Sequence, residues 1–374
     1  MSANTKHIVL VNHTRELHGS EQVMLTTLRL LRAQGWRVTL VLPINRPAAG
    51  LEEAVGTDAE IFYLRYKNSG EGWLRTLLVE LYNLPALIRF IRWIHQNRLD
   101  AIYSNTSVTL LGIEAARMTR TPHIWHWHEL PSAAFGWPNN SLPILRYWQR
   151  FTDRLLFISR TQQQLWQRAL GRNALTNAQV VYNPARTIRV TRTANSGIVR
   201  IGYIGSFADR KNLPWLIQSV RRLAAQYDVR LSLYGATNEQ EIAALKALWP
   251  DTNAMRVMRH TSEVEKVYAD MDIFVLPSLS ETMPLVVLEA MQAGVCVIQT
   301  DRSGMKELMH DGEECLFVQP DTTDSLTRAL TRSMDADYRN AIATRGQRFA
   351  EHWLAENDYS RSIMTVFNDL LTHA

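Results

Sequence analysis

The chain has 374 residues, of which 46% are hydrophobic, 21% charged and 9% aromatic. That balance belongs to globular proteins and excludes collagen-like, disordered and disulfide-dense classes, and at roughly 150 residues per domain it calls for two domains with cores of their own. Lys and Arg exceed Asp and Glu by 8 in residues 1–185 and fall short by 3 in the remainder. Scattered solvated charge would produce this asymmetry, and so would an anionic partner such as a phospholipid surface or nucleic acid.

In chain order, the opening MSANTKHIVLVN shows no apolar leader followed by a small-residue cleavage site. Apolar runs rich in Val, Ile and Leu predict strands over 7–11, 38–43, 61–66, 101–104, 123–127, 155–158 and 180–182. Helical patterns lie between most of them, such as 21–33, where Val23, Met24, Leu28, Leu30 and Leu31 recur at helical spacing and Gly35 ends the run. Such alternation argues for a mostly parallel sheet covered on both faces. The most apolar long stretch, 74–94, is broken by Arg75, Glu80, Pro85, Arg89 and Arg92, so no membrane-spanning helix is expected.

Residues 184–198 are polar, begin with Pro184 and lack periodicity, and read as a linker. The alternation then restarts, with strands expected over 199–204, 230–234, 255–258, 273–276, 295–299 and 315–318. A last helical face over 360–371 carries Ile363, Val366, Phe367, Leu370 and Leu371. The fold expected is therefore α/β, with two doubly wound domains facing a cleft and ligands bound beyond the carboxyl ends of the strands. The two cysteines, Cys296 and Cys315, lie in apolar strand-like stretches. They supply no disulfide framework or zinc site and fit a reducing, cytoplasmic setting.

The segment 269–297 (ADMDIFVLPSLSETMPLVVLEAMQAGVCV) holds the richest chemistry. Its strand ends in Pro277, a polar loop follows, and a helix begins near Pro284, where proline suits the first turn. Glu281 falls in the loop and Glu289 about one turn into the helix. Free first-turn amides near Leu285 and Val286 suit a phosphate, and carboxylates beside it would accept strong hydrogen bonds from sugar hydroxyls. A capping carboxylate beside a surface glutamate is the plain alternative.

Here a wider pattern emerges. Glu281-x7-Glu289 resembles the E-x7-E signature of the retaining GT-B glycosyltransferases of family 4 (glycosyl transferases group 1). Ser303-Gly304-Met305-Lys306-Glu307 resembles that family's Gly-x-x-Glu segment, and Asp311-Gly312 with residues 315–318 its next turn and strand. Upstream, IGYIGSFADRKNLPWLI is similar to the element that opens the second domain. In the first domain, His18-Gly19-Ser20-Glu21 resembles a Gly-Gly-x-Glu loop, Trp127-His128-Glu129 a His-acid pair, and 181–184 (VYNP) the segment that closes the domain. Two positions depart from the pattern: Ser206 stands where many members have Arg, and His18 replaces the first glycine.

The resemblance implies a GT-B architecture: an acceptor-binding domain over 1–185, a nucleotide-sugar-binding domain over 186–355, and a helix over 356–374 packing back toward the first domain. It implies that Glu289 holds the ribose, that Glu281 holds donor-sugar hydroxyls, and that Lys211, aided by Arg210, offsets the charge of the departing diphosphate. Met283, Pro284, Leu285 and Val286 line the donor site, Gly19 lets backbone approach the diphosphate, and His128 contacts the donor sugar near the reaction centre. His126, two residues earlier, shares its strand face with His128. A turn glycine, a structural histidine and a solvated lysine are the plain readings of those three positions. No metal and no cofactor are implied beyond the nucleotide-diphosphate sugar, whose base would be read around 256–261.

The acceptor side carries less signal. Residues 73–98 mix Trp73, Phe90, Trp93 and several leucines with Arg75, Arg89, Arg92 and Arg98. They read either as an interfacial helix on an anionic membrane or as a core helix with a basic outer face. Trp137, Tyr147 and Trp148 either line the acceptor mouth or pack in the core. The expected activity is transfer of a hexosyl unit to a hydroxyl of a growing glycan, lipid-linked saccharide or lipopolysaccharide, by a peripheral enzyme at the inner face of the cytoplasmic membrane. The alternatives are a non-catalytic GT-B-like protein that binds a glycan or nucleotide, a nucleotide-sugar epimerase, and a soluble disaccharide-forming transferase. No zinc-finger spacing or stacking-and-basic module supports nucleic-acid binding.

Overall fold

The computed structural model describes residues 5–47, 50–68, 73–131, 142–171, 175, 177–192, 197–251, 253–320, 322 and 324–372. The chain divides into two units, Met1–Pro184 with Asp358–Ala374, and Ala185–Asn357.

In the first unit, seven parallel strands form one sheet in the order β3-β2-β1-β4-β5-β6-β7. They are β1 (His7–Val11), β2 (Arg37–Pro43), β3 (Glu60–Leu64), β4 (Ala101–Asn105), β5 (His123–Trp127), β6 (Arg154–Phe157) and β7 (Ala178–Val180). Every residue of β1, β4 and β5 is buried, the pattern of strands covered on both faces. One face packs under the helices Gly19–Ala33, Leu51–Val55 and Tyr359–Thr372 through Ile8, Leu10, Leu28, Tyr103 and Phe367. The other packs under Trp73–Asn97 and Leu111–Thr119 through Val9, Val11, Phe90 and Ile102.

In the second unit, six parallel strands run in the order β10-β9-β8-β11-β12-β13. They are β8 (Val199–Ile204), β9 (Val229–Ala236), β10 (Met255–Arg259), β11 (Ile273–Leu276), β12 (Cys296–Thr300) and β13 (Leu316–Val318). Gly205, just after β8, and Gly235, near the end of β9, are both at positive φ and let two backbones meet at the carboxyl ends of these strands. A Cβ on Gly235 would collide with the Gly205 carbonyl.

In each sheet the strand order reverses at one point, between β1 and β4 and between β8 and β11. Chains leaving two such neighbours at their carboxyl ends diverge to opposite faces, which opens a crevice over the sheet. The residues singled out above fall around these two points.

Candidate functional site

In the second unit the loop after β8 closes with a 3-10 turn, Asp209–Lys211, and the loop after β11 runs from Pro277 to Pro284. The backbone N–H of Leu279 donates to the carbonyl of Arg210 at 2.8 Å and ties the two loops together. Glu281 is pinned by its own main chain: its N–H donates to the Arg302 carbonyl at 3.2 Å, and its carbonyl accepts from the Gly304 N–H at 3.1 Å. Its carboxylate receives the Lys211 ammonium and, at 3.3 Å, the Arg210 guanidinium. Both Lys211 and Glu281 are buried, so the solvated-lysine reading is excluded.

Burial alone would raise the Glu281 carboxyl. The charges of Lys211 and Arg210 outweigh it and hold the group below the usual carboxylate range. Burial also lowers Lys211, against the pull of Glu281. Ser206 adds no charge here; its carbonyl accepts from the buried Tyr203 hydroxyl at 2.7 Å.

Pro284 caps the helix Leu285–Gln292 with extended backbone, φ −74° and ψ 108°. Met283 and Pro284 are buried, Leu285 and Val286 half-buried, and the first-turn amides have no partner within the helix. Glu289, 3% exposed, binds different partners from Glu281. The Arg186 guanidinium grips it with both arms, at 2.7 and 3.2 Å, and the Tyr268 hydroxyl donates to it at 3.0 Å. The 256–261 segment forms edge strand β10 and the residues after it, with Arg259 paired to Glu239 at 2.6 Å.

In the first unit, Gly19 opens the helix Gly19–Ala33, and a Cβ there would meet nothing within 4 Å among the described residues. Glu21 is the capping carboxylate, accepting from the His18 N–H at 3.3 Å and the Ser20 hydroxyl at 3.0 Å. His128 follows β5, buried, its Nε2 at 3.0 Å from Asn105 Oδ1. The amide chain behind it fixes the proton. Asn12 Nδ2 donates to the Thr14 carbonyl at 2.9 Å, so Asn12 Oδ1 is the atom that accepts from Asn105 Nδ2, also at 2.9 Å. Asn105 Oδ1 is therefore an acceptor, and His128 must carry its proton on Nε2, leaving the Nδ1 lone pair free to accept.

Burial, with a smaller contribution from His13, pushes the His128 imidazole down to about 3, so it is neutral at ordinary pH. His126 lies beside it, ring centroids 4.2 Å apart, with Nδ1 2.6 Å from the buried Tyr103 hydroxyl. Glu129 is committed to structure: it accepts from the Ser107 N–H and hydroxyl at 3.0 and 2.8 Å and from the His128 N–H at 3.2 Å. Thr106 stands between Asn105 and Ser107 at φ +84°, a strained setting for a β-branched residue.

Arg186, Tyr268, Asn12 and Asn105 were not singled out in the sequence. Asparagine ending an apolar strand was a usable signal for the last two; Arg186 sits in polar linker sequence and gave none. Phe90, at 0% exposed, is core, which corrects its place in the interfacial reading of 73–98. Tyr147 is exposed and Trp148 half-buried on the helix Leu142–Trp148, while Trp137 lies outside the described residues. Among the described residues, the His and carboxylate groups near enough to share an ion are His310, Glu313 and Glu314, two exposed and one half-buried before β13, and none belongs to the groups above.

Comparison with known proteins gives the same assignment for both units. Residues 17–189 match Glycosyltransferase Family 4 and residues 199–336 match Glycosyl transferases group 1. The chain is 29% identical over 166 residues to the lipopolysaccharide core biosynthesis glycosyltransferase LpsE of Rhizobium meliloti, covering 43% of this chain and 46% of that one. It is 27% identical over 168 residues to the O-antigen chain mannosyltransferase B of Escherichia coli, covering 43% and 44%. The chain thus spans about half the length of the curated relatives it matches. Among solved structures, Anabaena Alr3699/HepE in complex with UDP and glucose superposes with a TM-score of 0.80 at 18% identity, over 97% of this chain and 100% of that one. With two doubly wound units, matches over both halves and the E-x7-E pair placed beyond β11, the chain belongs to the family 4 glycosyltransferases of the GT-B fold.

Proposed function

We propose that the chain transfers a hexosyl unit, with retention at the anomeric carbon, from a nucleotide-diphosphate sugar to a hydroxyl of a growing glycan. The acceptor class is a lipid-linked saccharide or lipopolysaccharide, met at the inner face of the cytoplasmic membrane. The observation that carries this reading is the buried Lys211–Glu281 pair with Arg210 beside it, at the carboxyl ends of β8 and β11. Negative charge grows on a diphosphate as it leaves. A pre-set ammonium, a guanidinium and the first-turn amides of Leu285 and Val286 stabilise that charge more than the ground state. Lys211 and Arg210 supply the positive charge, and no metal or other cofactor is invoked.

Glu289 would accept ribose hydroxyls, which requires Arg186 to yield at least one of its two bonds. Glu281 would accept from donor-sugar hydroxyls. His128, neutral and with Nδ1 as its acceptor nitrogen, would accept from a sugar hydroxyl near the reaction centre. The open space beside Gly19 suits backbone approach to the diphosphate. The named roles of LpsE and the O-antigen mannosyltransferase, and the UDP and glucose held by Alr3699/HepE, support the donor and acceptor classes.

The test is a thermal-shift panel of UDP-, GDP-, ADP- and CMP-sugars on wild type and Glu289→Ala, in buffer containing EDTA. A sugar nucleotide at 100 times its dissociation constant adds about 2.7 kcal/mol to stability. Stabilisation by one nucleotide class, abolished in Glu289→Ala, is the expected result. A folded protein that answers to none of them overturns the reading in favour of a non-catalytic glycan-binding protein.

A further inference from the structure

The helix Trp73–Asn97 touches the sheet with one face, through Ala86, Leu87, Phe90 and Ile94, and on the same side the buried Asn83 bonds the Lys67 backbone. The opposite face carries Leu74, Leu77, Leu78, Leu81, Leu84 and Ile88, each between 44% and 61% exposed. Steps of three and four residues keep them in one row, which at 1.5 Å per residue runs about 20 Å. Single exposed leucines are ordinary, but a continuous row of six is a contact surface awaiting a partner. The rim of the row is cationic. Arg75 stands at its start and Arg89 and Arg92 at its end, all exposed, and the Lys67 ammonium lies over the Tyr82 ring at 4.4 Å from its centroid. The one acid of the helix, Glu80, is hydrogen-bonded to Glu114 on the neighbouring helix. No described aspartate or glutamate of this helix therefore faces outward with the row.

We propose that this row is a membrane-docking surface: the leucines enter the headgroup–acyl boundary of an anionic phospholipid bilayer, and Lys67, Arg75, Arg89 and Arg92 meet its phosphates. An in-plane helix with an apolar face and cationic flanks has this chemistry. A second copy of the chain fits less well. Two-fold pairing of the row would set Arg75 against Arg89 and Arg92 of its mate with no acid between them. The inference deepens the proposed function, on whose lipid-linked acceptor it rests for its purpose.

The experiment is vesicle co-sedimentation of the full chain at physiological ionic strength, with phosphatidylcholine alone and with added phosphatidylglycerol. Wild type binds the anionic vesicles and not the neutral ones. Leu77→Gln with Leu81→Gln and Leu84→Gln lowers binding by more than about tenfold. Arg89→Gln with Arg92→Gln lowers it about thirtyfold, the effect of two interfacial cations. Unchanged melting of both variants confirms that they fold. Equal binding to neutral and anionic vesicles, or undiminished binding of the leucine variant, overturns the proposal. So does a wild-type dimer that the leucine substitutions dissociate while vesicles bind neither form. The nucleotide-sugar panel fails or succeeds independently, so loss of vesicle binding with an intact nucleotide response removes the docking surface alone.

Discussion

Lys211→Met tests the centre of the candidate site. The substitution keeps the side chain's length and removes its charge, leaving Glu281, 9% exposed, with Arg210 at 3.3 Å as its remaining cation. Stripping one partner from a buried ion pair costs about 3–5 kcal/mol. Arg210 retains part of that, so the expected loss is about 2–3 kcal/mol, a fall of about 5–10 °C in the unfolding of a unit this size. The pH dependence carries the sharper information. In wild type the Glu281 carboxyl is held down, so its stabilisation is present above the ordinary carboxylate range and is lost as pH falls through the folded value. Without Lys211, burial is less opposed and the carboxyl moves up. The folded variant then holds its proton more tightly than the unfolded chain, and its stability falls as pH rises. The difference between wild type and variant should widen from pH 5 to pH 8, read by denaturant melts at each pH. A double-mutant cycle with Glu281→Gln should give a coupling above about 1 kcal/mol, and turnover should fall about 10²–10³-fold. A variant within about 0.5 kcal/mol of wild type, with a pH-independent difference and normal turnover, would refute the reasoning.

Three further outcomes follow from the first unit. Nitrogen-15 NMR of the histidine rings should show His128 neutral and protonated at Nε2 between pH 5 and 8; a proton on Nδ1 would break the Asn12–Asn105 argument. Asn105→Asp should raise His128 from about 3 by about one to three units, because a carboxylate beside the ring favours the imidazolium. Burial, helped by the neighbouring Glu80, pushes the Glu114 carboxyl up to about 8. A raised carboxyl destabilises the fold progressively from the ordinary carboxylate range upward and fully above the folded value. Glu114→Gln, which keeps a donor for Glu80, should therefore raise the melting temperature more at pH 9 than at pH 5. A stabilisation that is the same at both would count against the raised carboxyl.

Much of the architecture was legible because fully covered parallel strands announce themselves as short unbroken apolar runs. HIVLV, HIWHW, VRIGYI and IFVL coincide with β1, β5, β8 and β11. The last strand of the first sheet did not follow this rule. Expected over 180–182, it lies at Ala178–Val180, half-buried at an edge where backbone pairing with β6, not apolarity, sets the register. The motif residues Lys211, Arg210 and Glu281 could be named in advance but not joined, since they stand 70 residues apart and meet only because β8 and β11 are neighbours. Arg186 was illegible for a different reason: an arginine among the polar residues of 184–198 looks solvated until the fold brings Glu289 against it. For the helix 73–97 an interfacial and a core-packing reading both stood open, because leucines, aromatics and arginines alternate there without one clean stripe; in the fold Phe90 and Trp93 stack inward with Phe62 and the leucines are left outside.

The helix Tyr359–Thr372 belongs to the first unit although 173 residues of the second precede it. The Tyr359 hydroxyl lies 2.6 Å from that of Thr27, which itself donates to the Val23 carbonyl, and Phe367 stacks on Tyr103 of β4 with ring centroids 6.1 Å apart. On the ribosome, the first unit is therefore finished last. With domains forming as they emerge at about 5–20 residues per second, the second can close while the first waits roughly 10–35 s, its helix Gly19–Ala33 lacking a wall that Ile363, Val366 and Phe367 will supply. A fragment ending at Pro184 would be a sheet with an open flank, and expressing it to isolate the first unit would yield a chain prone to self-association. The workable dissection would graft the terminal helix directly onto the first 184 residues.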